Sequence, residues 1–256
     1  MNRITAINMT RKNRKATPKL DSLTIFFPFL NDAGTVKKQI DDAYYYGRKV
    51  AKSLEVIAIH GGASKDDTFE RIKQSQKTHR SLKIVDKTNN TEWYAVIKHG
   101  FYNATKDWVF YTDGDRQYQL NELSKLVAKQ LKTNSDVVNG YKTRRDDGYF
   151  RWFMGEAYRR FTLLVYRMPV NDLDCDFRLI RMKLLRKVKF ESKDSSILLE
   201  LIGKLRNKGA KFAEVPVSHY QRVYGKSNYP VTRLFWEKLV GDFKIYGKLK
   251  KYRAKK

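Results

Sequence analysis

A single cysteine, Cys175, stands among the 256 residues. It excludes an intrachain disulfide framework and a cysteine-rich zinc site, and it fits a reducing compartment. The four histidines are scattered, without metal-ligand spacing. No stretch of about 18 apolar residues occurs, and the opening MNRITAINMTRKNRK lacks an apolar core, so neither a membrane span nor a signal peptide is expected. Internal repeats and low-complexity linkers are missing as well. Acid is absent from both ends: residues 1–20 hold six basic residues (Arg3, Arg11, Lys12, Arg14, Lys15, Lys19), and residues 244–256 hold seven (Lys244, Lys248, Lys250, Lys251, Arg253, Lys255, Lys256).

What is present suffices for a folded body. With 41% hydrophobic residues, a chain of this length can bury a sizeable core in one domain, or in one domain with a terminal appendage. The formal net charge is +26, half of it in the two tails. Such tails suit nucleic acid, solvent alone, or the anionic face of a membrane, where each Lys or Arg contributes on the order of 1 kcal/mol. No zinc-finger spacing or RNA-recognition signature accompanies the charge, so no nucleic-acid partner is expected.

Buried-strand and amphipathic-helix patterns alternate along the chain. Residues 22–27 read as a strand that ends at Pro28, which lacks a backbone donor. Residues 35–52 read as a helix with Val36, Ile40, Ala43 and Val50 as its apolar stripe. Strands at 55–59, 82–85 and 108–112 then alternate with helices at 66–78 and 93–104, which predicts a parallel sheet covered by helices. A helix at 120–132 and a fifth strand at 136–139 follow, and there the strict alternation stops. Farther on come a helix at 149–167, an acidic run at 171–176, a strand at 177–180, a helix at 197–208 and a strand at 213–218. The basic segment from Val231 is helical, with Phe235, Leu239, Phe243 and Tyr246 on one side. That describes an interfacial or partner-docking helix, or one packed on its own domain.

The run TDGDRQY at 112–118 carries the chemistry. It sets Asp113 and Asp115 one residue apart, with Gln117 next in the series, directly after an apolar strand. In an alternating α/β chain, ligands bind at the carboxyl ends of parallel strands, so phosphate chemistry is expected above strands one, two and four. Hard oxygen donors in this arrangement suit Mg²⁺ or Mn²⁺, which combine one or two carboxylates with phosphate oxygens of a substrate such as a nucleoside diphosphate. An Asp-Gly surface turn has the same composition. Arg144, Arg145 and Arg151 lie between the fifth strand and the next helix, where guanidinium forks can hold phosphate. Asp172, Asp174 and Asp176 are base candidates should the acceptor be a hydroxyl, or else capping and turn carboxylates. His219, at a strand end, is a candidate ligand to metal or phosphate.

Five landmarks occur in one order: FPFLNDAGT at 27–35, TDGDRQYQLNEL at 112–123, VVNGYKTRRDD at 137–147, DLDCDFRLIR at 172–181 and VPVSHYQRVYGKSNY at 215–229. Together they resemble the family 2 glycosyltransferases of the dolichol-phosphate mannose synthase-like branch, over roughly residues 21–230. The resemblance implies a GT-A fold: an α/β, Rossmann-like, mostly parallel sheet with helices on both faces, here followed by a basic amphipathic C-terminal helix. It divides the chain into a basic tail (1–20), the transferase domain (21–230) and the amphipathic segment (231–256). It implies a nucleotide-sugar donor, Mg²⁺ or Mn²⁺, and a polyprenyl phosphate acceptor with inversion at the sugar carbon. Metal falls to Asp113, Asp115 and Gln117, with His219. The donor and its phosphates fall to Pro28, Asn31, Asp32, Asp113, Arg144, Arg145, Arg151, Arg222, Lys226 and Ser227, of which Arg222, Lys226 and Ser227 sit on a mobile loop that closes over the diphosphate. Catalysis falls to Asp115 together with Asp172, Asp174 and Asp176.

The chain departs from that pattern at the base and ribose pocket. Where the branch has an acidic pair or Asn-Asp before Gly-Ser, this chain has His60, Gly61 and Gly62; where it has glycines after an Asn, Asn90 is followed by Thr91, Glu92, Trp93 and Tyr94. The expectation is an active enzyme with an altered donor pocket, the alternative being a catalytically weak or inactive GT-A-like partner subunit of a membrane glycosylation complex. Members of the branch often continue into membrane helices beyond this region. The expected location is therefore cytoplasmic and peripheral at the inner face of a membrane, through the 231–256 helix and basic tails, with an integral membrane protein as a candidate partner.

Overall fold

The computed structural model describes residues 18–62, 64–88, 93–145, 149–225 and 231–253. Seven strands form one sheet: β1 (Leu20–Phe29), β2 (Ala51–Gly61), β3 (Lys83–Lys87), β4 (Trp108–Thr112), β5 (Val137–Arg145), β6 (Phe177–Arg181) and β7 (Phe212–His219). Their order across the sheet is β3-β2-β1-β4-β6-β5-β7. β6 alone runs against its neighbours, pairing antiparallel with both β4 and β5. From β1 the chain moves outward to β3, then returns past β1 to β4. The loops after β1 and β4 therefore diverge at a topological switch point, where open α/β sheets bind ligands.

Side chains alternate across the pleat and divide the core in two. Ile25, Phe27 and Phe29 of β1 and Val56 and Ala58 of β2 face α1 (Val36–Val50), α2 (Thr68–Thr78) and α4 (Leu123–Thr133). Phe26, Ile57 and Ile59 face α3 (Trp93–Asn103), α5 (Tyr149–Leu164), α7 (Ile197–Asn207) and α8 (Val231–Arg253). Each fully buried Phe or Ile contributes about 1.5–3 kcal/mol, so the strand ends that carry the loops are firmly held.

Three expectations need correction. Pro28 does not end β1, which continues to Phe29 and pairs Pro28 with Ile59. The ladder to β4 stops at Phe26–Tyr111, so Pro28 sits beyond it with one side of the strand open, where a missing donor is tolerated. β5 runs to Arg145, far past residue 139, because β7 pairs with it along its whole length. Arg144 and Arg145 therefore end a strand and do not lie between strand and helix. The apolar stripe of α8 is also rotated from the expected one. Lys238, Asp242, Ile245 and Leu249 are buried, Leu239 and Tyr246 pack beside them, and Phe243 remains 55% exposed. The short helix α6 (Met182–Leu185) had no sequence signal that was read.

Candidate active site

The turn after β4 is built on α1. Thr35 donates from its hydroxyl to the carbonyl of Gly114 at 2.7 Å, and the Gln39 amide donates to the carbonyl of Asp113 at 3.0 Å. One turn on, Asp42 holds the guanidinium of Arg116 at 2.7 Å. These three polar residues recur at helical spacing beside the apolar stripe of α1, and their periodicity was the available sign that a second, polar surface is buried there. Arg116 takes a left-handed backbone (φ 62°), which a non-glycine residue keeps only when its surroundings enforce it. Gly114 has no alternative: a Cβ there would lie 2.3 Å from the Phe29 ring and 2.8 Å from the Pro28 carbonyl oxygen. Pro28 thus backs the turn from below.

Four carboxylates converge on this turn. Asp115 is buried, accepts the Gln117 N–H through Oδ1 at 3.0 Å, and meets Arg222 through Oδ2 at 2.8 Å. Asp32 accepts the Leu30 N–H at 3.0 Å and lies 3.4 Å from the same guanidinium. Asp176 accepts a hydrogen bond from the Tyr111 hydroxyl. Asp113 has a buried Oδ1 without a partner. Burial, then the charges of Asp176 and Asp115, push Asp113 well above the carboxylate range. Burial raises Asp115 against the pull of Arg222, raises Asp176 against the Tyr111 hydrogen bond, and takes Asp32 to about 7. Crowded, desolvated carboxylates of this kind favour either protons or a cation. Among the described residues no three His, Cys, Asp or Glu side chains form a closed metal cage. The buried pair Asp113 and Asp115 fits Mg²⁺ or Mn²⁺ completed by substrate oxygens, and the orphaned Asp113 Oδ1 is the atom that asks for it.

The segment after β7 lies across this turn. The Gln117 amide donates to the Tyr220 carbonyl and the Tyr220 N–H donates to the Gln117 carbonyl, both at 2.9 Å. The Tyr224 ring lies on Gly34, and Arg222 reaches down between Asp32 and Asp115. His219 ends β7 with its ring against Tyr118, 4.9 Å between centroids. Lys226 and Ser227, like Glu92, lie outside the described residues, as do the side chains of Arg144, Arg145, Arg151 and Tyr94.

The three remaining acidic candidates separate. Asp176 joins Asp113. Asp172 is buried, accepting the Lys142 N–H at 3.2 Å with the Lys142 ammonium at 3.6 Å. It lines a cavity of about 550 Å³ together with Tyr141, Lys142, Thr143, Glu156, Arg159 and Asn171. Asp174 turns away to α8, where it pairs with Lys238. Beneath the run, Arg178 is wholly buried, pairs with Asn139, and donates to the carbonyls of Leu173 at 2.9 Å and Cys175 at 3.2 Å. Its role escaped the sequence reading, although a lone arginine in an apolar strand hinted at it.

At the end of β2, Gly61 has no room for a side chain: a Cβ would stand 2.2 Å from Cγ2 of Val96 on α3. Gly62 adopts φ 69°. A carboxylate at position 61 would have no room, and the steric reason is the approach of α3.

The chain matches the glycosyl transferase family 2 over residues 24–189, and it belongs to that family. Among solved structures, glucosyl-3-phosphoglycerate synthase from Mycobacterium tuberculosis, in complex with Mn²⁺, uridine diphosphate and glucosyl-3-phosphoglycerate, is similar with a TM-score of 0.66 at 16% identity, covering 89% of this chain and 80% of that one. A mannosyltransferase from Pyrobaculum calidifontis in complex with GDP-Man and Mn²⁺ gives 0.62 at 20% identity, covering 91% and 67%. The fold is that of the GT-A glycosyltransferases, and the chain is built as a transferase.

Proposed function

We propose that this chain is an inverting glycosyltransferase that uses Mg²⁺ or Mn²⁺ to move a sugar from a nucleotide-sugar donor to a polyprenyl phosphate at a membrane face. The observation that carries the metal and donor part is the unpartnered Asp113 Oδ1 beside Asp115 at the switch point. A bound cation would neutralise the charge gathering on the departing diphosphate. Asp113, Asp115 and Gln117 would hold it; Arg222, with Arg144, Arg145 and Arg151, would hold phosphate. Both similar structures carry Mn²⁺, one with GDP-Man and one with uridine diphosphate, which supports the assignment.

A phosphate acceptor is anionic already and needs orientation and loss of water more than a base. Lys142 and Arg159 line the 550 Å³ cavity and would bind it by exchanging their contacts to Asp172 and Glu156 for the phosphate. The lipid part rests on exposed apolar side chains, Leu164 and Val165 at the α5 end and Val240 and Phe243 on α8, a helix that also carries the exposed Lys244 and Lys250. Among the described residues no helix is long and apolar enough to cross a membrane, so attachment would be peripheral. The reading of the chain as an inactive partner subunit draws on the closure of position 61.

Calorimetry with a panel of sugar nucleotides, in Mn²⁺ or chelator, separates the two. Metal-dependent binding of one donor that Asp115→Ala abolishes is the expected result; no donor bound by the folded protein under any condition would favour the partner subunit.

A further inference from the structure

The chain carries a carboxylate, Asp86, near the carboxyl end of β3, on a different strand from the one where the family pattern puts an acid. His60, buried at the end of β2 and stacked on Phe69 at 4.8 Å, contacts Asp86 of β3 through Nδ1 at 3.2 Å and Ser64 through Nε2 at 3.0 Å. Ser64 Oγ in turn accepts the Asn31 N–H of the β1 loop at 3.3 Å. Asn31 adjoins Asp32, which shares Arg222 with Asp115. A continuous line of polar contacts thus crosses the carboxyl edge of the sheet from the metal-type carboxylates to Asp86. A nucleotide laid along that line of contacts, with its diphosphate at Asp115, would bring its base to Asp86 of β3.

The bonding of Asp86 is one-sided. Its Oδ1 takes the His60 contact, the Thr88 N–H at 3.0 Å and the Thr88 hydroxyl, while Oδ2 has no partner among the described residues. The side chain is 44% exposed and His60 only 5%. Hydrogen bonds from Thr88 and His60 hold the carboxyl below its usual range, so it is ionised at neutral pH. One oxygen is anchored and the other is presented.

We infer that Asp86 reads the nucleobase of the donor, accepting a ring N–H on Oδ2, with His60 as the positioning residue that replaces the family's carboxylate and fixes the new one. The inference rests on the nucleotide-sugar reading above. Uracil and thymine offer N3–H and guanine N1–H to such an acceptor; cytosine and adenine place a lone pair at the same ring position, which a carboxylate repels. A site built to take a hydrogen bond discriminates strongly against partners that cannot give one.

The test is calorimetric binding of UDP, GDP, CDP, ADP and inorganic pyrophosphate in Mn²⁺ to the full chain and to Asp86→Asn. The wild type should bind UDP or GDP at least tenfold more tightly than CDP and ADP. In Asp86→Asn the Thr88 N–H and hydroxyl that donate to Oδ1 keep the amide oxygen there and turn the NH₂ to the ligand. The preference should then move toward CDP by tenfold or more while pyrophosphate affinity stays constant. His60→Ala should weaken discrimination and likewise spare pyrophosphate. If the ranking survives Asp86→Asn with pyrophosphate still bound, Asp86 does not read the base and only this inference falls. If the wild type binds neither nucleotides nor pyrophosphate, the donor reading falls and carries this one with it.

Discussion

At the scale of single residues, Arg222 supplies the charge that balances Asp115 and Asp32, and a divalent cation would have to compete with it for Asp115. Arg222→Met should therefore bind Mn²⁺ about tenfold more tightly in the absence of nucleotide, roughly 1.4 kcal/mol, yet lose kcat/KM because the diphosphate loses its fork. Calorimetry on the metal alone checks the first half, and an unchanged affinity would mean that the guanidinium does not compete. Metal affinity should also rise with pH through about 7, where Asp32 releases its proton and adds a negative charge beside Asp115. Gly114→Ala should cost about 1–3 kcal/mol by overpacking, because its Cβ would press on the buried Phe29 ring. Thermal unfolding of that variant measures it. That Asp113, Asp115 and Gln117 share one turn was legible in the sequence because their spacing is local. That Arg222 meets Asp115 was not, since the pair lies far apart in the chain and the resemblance said only that Arg222 belongs to a loop over the phosphates.

At the scale of elements, α8 shows what periodicity leaves open. Strands β1, β2 and β4 were readable because their apolar runs are buried on both faces. The basic helix offered two overlapping stripes, and the one chosen by neighbours α5 and α7 includes a lysine and an aspartate. Lys238 reaches Asp174, and Asp242 is fully buried with the Tyr158 hydroxyl donating to it at 2.5 Å. A helix can bury such groups only where other elements supply partners, and a sequence window does not contain them. Burial, partly offset by Lys238, pushes Asp242 from 3.8 to about 7. Between those values the folded protein keeps a proton that the unfolded chain has released, so stability falls as pH rises through this window and levels off above it. Asp242→Asn should flatten that slope in part, the raised carboxyls of Asp32, Asp113, Asp115, Asp176 and Glu214 also contributing, and be more stable than wild type at pH 8 by up to about 3 kcal/mol. Denaturant unfolding at pH 5 and pH 8 reads it; equal slopes would show that Asp242 does not carry the proton.

At the scale of the whole molecule, a charge of +26 and an apolar patch make different demands on a membrane. Electrostatic attraction alone is screened within about 10 Å at 0.1 M salt, and it needs no particular residue. Insertion of apolar side chains is insensitive to salt and depends on which ones are exposed. Leu164 at 77% and Phe243 at 55% exposure are large apolar groups on the α5 and α8 surface, and each would contribute about 1.5–3 kcal/mol if buried in lipid. The double variant Leu164→Ser, Phe243→Ser leaves every charge in place. If the protein docks by this patch, its co-sedimentation with vesicles containing anionic lipid should weaken at least tenfold in the variant and persist in part for wild type at 0.5 M salt. Equal binding of the two proteins, abolished by salt in both, would leave only the tails as the attachment. The acceptor would then have to reach the Lys142 cavity without help from the patch, which a water-soluble phosphate does more readily than a polyprenyl chain.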